Sequence, residues 1–129
     1  EIAEFKRQSE AFEQLKSRIS NRDSEETKLF EAYRKQGDAK GKAEIGRKLN
    51  DNAFYLDGEL ARLRSLSLQG NLDHGENEYV SNYFQTEAAR AFKELFSRIN
   101  SRWSQILKET GIDLKEARPT IATPRYDVP

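Results

Sequence analysis

Between Tyr79 and Leu107 the apolar residues fall into two rows spaced four apart. One row is Val80, Phe84, Ala88, Phe92 and Phe96; the other is Ala91, Leu95, Ile99, Trp103 and Leu107. On an α-helix two such rows lie side by side and make an apolar face about half the circumference wide. A two-stranded coiled coil needs a narrower seam. The helix therefore requires more than one neighbour, and the chain reads as an all-α bundle. The breadth of the face predicts that this helix is the central element. It also predicts that little of its aromatic surface is left for a ligand.

The rest of the chain supplies candidate neighbours. Residues 2–20 predict a first helix, with Phe5, Phe12, Leu15 and Ile19 on one face, Gln8 interrupting it and Ser20-Asn21 as a soft stop. Asp23 followed three residues later by Glu26 fits a capping box opening a short second helix with Leu29, Phe30 and Tyr33, closed by Gly37. Asp38 can cap a third helix with a heptad-like seam of Ile45, Leu49, Ala53, Leu56, Leu60 and Leu63, stopped by Gly70. Gly46 and Gly58 lie inside it at a cost of roughly 1 kcal/mol each relative to alanine, so a bend or break at Asp57-Gly58 is allowed. Asn52 sits at the edge of that seam and needs a partner if buried. After a turn at Asn71–Gly75, with Asp73 and Glu76 as a further cap, the fourth helix runs to Thr110 and ends on Gly111 in Schellman fashion. The expected fold is an antiparallel four-helix bundle over 1–111, its second helix short. Residues 112–129, with Pro119, Pro124 and Pro129, make an extended tail or linker able to dock on the bundle.

Composition narrows the function classes. The 129 residues carry 22 basic and 22 acidic side chains, so no net field draws the chain to nucleic acid or an anionic membrane. Basic stretches at 34–48 and 90–108 are diluted by acids, and nucleic-acid binding would need them to meet on one face. With no cysteine, disulfides, thiolate metal sites and cysteine nucleophiles are excluded. No methionine opens the chain, so we expect a processed form or a piece of a longer protein. No apolar run is long enough to span a membrane.

Few residues invite chemistry. The single histidine, His74, lies in a turn, whereas a di-metal bundle site wants Glu-x-x-His on two helices. Gly37-Asp38-Ala39-Lys40-Gly41-Lys42 lacks the spacing of a phosphate loop. No catalytic residue, metal or cofactor is expected. Phe54 lies off the seams as a candidate partner anchor. Arg98 and Arg102 lie at one edge of the wide face. They can hold an anion, or pair with Glu94 or with glutamates of the first helix, which is the favoured reading. The expected function is a non-catalytic helical interaction or scaffolding module whose partner is protein, self-association included. The alternative is a small-molecule-binding or sensory bundle with a pocket lined by Phe84, Phe92 and Trp103; a nucleic-acid-binding protein comes third. The closing Tyr126-Asp127-Val128-Pro129 resembles the Tyr-Asp-x-Pro phosphotyrosine motif read by some SH2 adaptors. That resemblance implies an arginine pocket as reader.

Overall fold

The structure, a computed structural model, describes residues 2–70 and 78–120. Among these it has three long helices: α1 (Ile2–Lys35), α2 (Ala39–Gln69) and α3 (Glu78–Thr110), followed by a 3-10 turn, η1 (Leu114–Glu116). Each long helix spans roughly 50 Å at about 1.5 Å per residue. No strand occurs among the described residues, and none of these helices is long and apolar enough to cross a membrane.

The bundle has three helices rather than four, because the expected first and second helices are one. No glycine or proline occurs before Gly37, and Ser20 and Asn21 each cost a helix only a few tenths of a kcal/mol. Asp23 and Glu26 therefore cap nothing. They lie in the middle of α1 and are both buried. The spacing of three that defines a capping box also puts two acids on one helix face.

Other boundaries follow the sequence. Asp38 caps α2, its side chain accepting from the Gly41 N–H. Gly70 and Gly111 close α2 and α3 in the left-handed conformation, at φ 78° and 79°. Each donates its N–H to the carbonyl four residues back, on Leu66 and Leu107. That single bond is the αL motif rather than the Schellman ending expected at Gly111. The Ile112 N–H turns instead to Thr110 Oγ1. α2 continues through Asp57-Gly58 without a break. The proposed cap at Asp73 and Glu76 lies outside the described residues.

The helices run up, down and up. Arg18 of α1 meets Glu59 of α2, and Gln85 of α3 donates to the Leu68 carbonyl of α2, so both neighbours are antiparallel to α2. Asp23–Arg98 and Arg34–Glu109 share an offset of 75 residues, which makes α1 and α3 parallel. α2 packs along both other helices, while α1 and α3 approach each other less closely. The central element is thus α2, not the wide-faced α3. Its Leu49, Ala53, Leu56, Leu60, Leu63 and Leu66 are buried in one core with Phe12, Leu15, Ile19, Phe30, Val80, Phe84, Ile99, Trp103 and Ile106. Residues 111–120 fold back onto α2. Leu114 is buried in the same core, Asn50 bonds the backbone of Arg118 on both sides, and Asp51 accepts from Thr120. Ile112 comes within 3.2 Å of where a side chain on Gly46 would begin, so a larger residue there would require Ile112 to shift by a few tenths of an ångström.

Candidate functional site: a buried polar layer between the first and third helices

Helix periodicity brings five polar groups together in the C-terminal half of α1 and of α3. Asp23 and Glu26 lie one turn apart on α1; Arg98 and Arg102 lie one turn apart on α3, with Trp103 beside them. Arg98 donates to Asp23 Oδ2 through Nε and Nη2, at 3.0 and 2.7 Å. Arg102 Nη2 bridges the two acids, 2.6 Å from Asp23 Oδ1 and 2.8 Å from Glu26 Oε1. Trp103 Nε1 donates to the same Glu26 oxygen at 2.8 Å. On the α2 side, Asn52 donates to the carbonyl of Arg22, the residue before Asp23, at 2.9 Å, which supplies the partner its burial demands.

The layer is graded from outside to inside. The Arg98 side chain is 57% exposed, that of Arg102 13%, and Glu26 has no exposed surface. Burial pushes the Glu26 carboxyl above the usual glutamate range. The hydrogen bond from Trp103 and the charge of Arg102 pull it down, while the charge of Asp23 adds to the rise.

The candidate arginines are therefore paired with acids of α1 from the stretch expected as a separate short helix, not with Glu94 or with glutamates of residues 2–20. The partners are Glu26 and an aspartate, Asp23. Phe54 is half-buried, edge-on to Tyr55 with ring centroids 5.1 Å apart, and Arg22 lies over the Tyr55 ring. It does not join the arginine pair.

Of the aromatics considered as pocket lining, Phe84 and Trp103 are buried, Phe84 between Phe5 and Phe12. Phe92 is half-buried and stacks at 5.1 Å on Phe96, which is 39% exposed. An open surface depression lies elsewhere, lined by Lys40, Ala43, Glu44 and Arg47. Several arginines of the two basic stretches are paired with acids. Arg34 binds Glu31 and Glu109, Arg90 binds Glu87, Arg47 lies by Glu44, and Arg98 and Arg102 are held in the layer. Among the described residues no cluster of three or more histidines and acids is placed to hold a metal ion. His74 and Tyr126 lie outside the described residues.

Sequence reasoning missed Asp23 and Glu26 as site residues because it assigned them to a cap. The available signal was their match to Arg98 and Arg102, pairs of opposite charge with near-equal spacing on two helices. In comparisons with known proteins, no family, no curated protein and no solved structure matches the chain.

Proposed function

We propose that this chain is a non-catalytic helical interaction or scaffolding module whose partner is another protein or a second copy of itself. The observation that supports this reading is an apolar flank of α3 left uncovered by the bundle. Val80, Phe84 and Ala88 are buried, but the same row continues to half-buried Phe92 and to Phe96 at 39% exposure. The second row runs through buried Ile99 and Trp103 and ends at Leu107, 43% exposed. Phe96 and Leu107 are eleven residues apart, so they lie on one side of the helix, roughly 16 Å from each other. Aromatic groups kept at a surface are favoured contact residues. The polar groups best suited to chemistry are meanwhile engaged with one another inside the bundle.

A photo-crosslinking residue at Phe96, with Arg47 on the far depression as control, tests the reading in cells expressing the natural protein. The expected result is one discrete protein adduct from position 96, lost in Phe92→Ser, with none from position 47. An adduct of twice the chain mass identifies the partner as a second copy. A nucleic-acid adduct, or no adduct at either position, overturns the proposal.

A further inference from the structure

The polar layer contains a carboxyl group whose two oxygens are treated differently. Arg102 Nε, Arg102 Nη2 and Trp103 Nε1 all donate to Glu26 Oε1, at 3.0, 2.8 and 2.8 Å. Oε2 is equally buried and accepts from nothing. A carboxylate shares its charge between both oxygens, so ionisation puts part of that charge on a buried atom to which no protein group donates, which is costly. The neutral acid carries its proton on Oε2 and keeps Oε1 as acceptor for the same bonds. Asp23 Oδ1, one turn away, is likewise buried, but it faces Arg102 Nη2 at 2.6 Å, so its charge is met by an ion pair. Glu26 Oε2 alone of these two has neither a donor nor an ion-pair contact, and a proton gives it a role.

The surrounding charges do not remove the need for that proton. Those at this level are Arg22 and Asp23 on α1 and Arg98 and Arg102 on α3; α2 contributes the neutral Asn52, bonded to Arg22. η1 packs on α2 and α3, not on α1. Of the two arginines opposite, Arg98 donates to Asp23 and Arg102 alone hydrogen-bonds Glu26.

We propose that Glu26 is the proton-binding residue of a joint between α1 and α3, closed when Glu26 is protonated and loosened around residues 23–30 and 98–106 when it ionises. Burial, acting against Trp103 and Arg102, raises the affinity of Glu26 for its proton in the folded chain. A carboxyl whose pKa rises on folding contributes stability that is fully present below the ordinary glutamate range. That stability is lost as pH rises through the folded value. The joint is therefore tightest in mild acid. The α1–α3 contact is the less intimate of the helix contacts, so loosening there leaves both α2 seams intact.

The chain carries its own reporter, since Trp103 is its single tryptophan and its indole N–H bonds Glu26. In the 129-residue chain, the indole 1H–15N resonance and the Glu26 Cδ resonance are followed from acid to neutral pH. Both are expected to titrate together, with a midpoint above the ordinary value of about 4.3. Amide protection in 23–30 and 98–106 should fall through the same midpoint, by about tenfold for each pH unit that separates it from the ordinary value, while 53–60 stays protected. Glu26→Gln is expected to abolish the indole titration. A Glu26 midpoint at or below the ordinary value overturns the proposal, as does protection unchanged through the transition. The Cδ measurement uses the unaltered chain, so it decides even if the variant does not fold.

Discussion

α2 is held to its neighbours differently from the way α1 is held to α3. Along α2 the contact is a stripe of buried leucines and one alanine, with Asn52 the polar exception. Along the α1–α3 seam, aromatic rings meet at one end, where Phe5 and Phe12 pack on Phe84. Charges meet in the middle, and Arg34 with Glu109 closes the other end. A leucine stripe says which faces meet but is tolerant of sliding, because leucines recur along it. Charge-assisted arginine bonds, two N–H groups converging on one oxygen of Asp23 and of Glu26, and an indole N–H are directional and tolerate little displacement. The first kind of seam supplies most of the stability; the second fixes the register.

The largest test of this division is Arg102→Leu. It leaves Asp23 and Glu26 buried without their shared cation, and breaking a buried pair from one side costs about 3–5 kcal/mol. Urea unfolding at neutral pH measures it. Replacing Asp23, Glu26, Arg98 and Arg102 together by leucine removes both the attraction and the desolvation penalty. It should leave stability unchanged or raise it by about 1–4 kcal/mol. If the fourfold variant falls as far as the single one, the layer is a net source of stability and the two seams do the same job.

Leu56→Ala probes the other seam. Leu56 is fully buried in α2, and the substitution should cost about 2–5 kcal/mol in the same experiment. The Trp103 indole resonance should stay at its wild-type position in the native state, because the polar layer is intact. A shift as large as that caused by Arg102→Leu would mean that packing on α2, rather than directed bonds, positions α1 against α3.

Much of this arrangement was legible in the sequence, and the misses have physical causes. Asp38, Gly70 and Gly111 could be placed because each answers a local backbone demand: an unsatisfied N–H or a left-handed φ. The leucine stripe of α2 was readable from its period. Asp23-x-x-Glu26 was misread because a cap and an inward-facing acid pair share a spacing, and only the third helix, 75 residues away, tells them apart. The wide face of α3 suggested a central helix. Width measures apolar area, however, and does not say whether the chain itself covers it; Phe96 and Leu107 remain at the surface.

The smallest effect comes from two carboxyls on the same seam whose pKa values are displaced in opposite directions. Glu109 is exposed, and the hydrogen bond from Arg34, helped by Gln105, holds its carboxyl below the usual glutamate range. A depressed folded pKa contributes stability above the unfolded value that is lost as pH falls through the folded one. Glu109→Gln should therefore flatten the acid limb of the stability curve below about pH 4.3, whereas Glu26→Gln flattens the limb above it. The Glu109 effect should be near the resolution of a denaturation curve, since solvent screens an exposed pair. It should vanish in 1 M salt, where the Debye length is about 3 Å, while the Glu26 effect should persist because Glu26 has no exposed surface. Equal salt sensitivity of the two limbs would place Glu26 in contact with solvent and remove the contrast between the middle of the seam and its end.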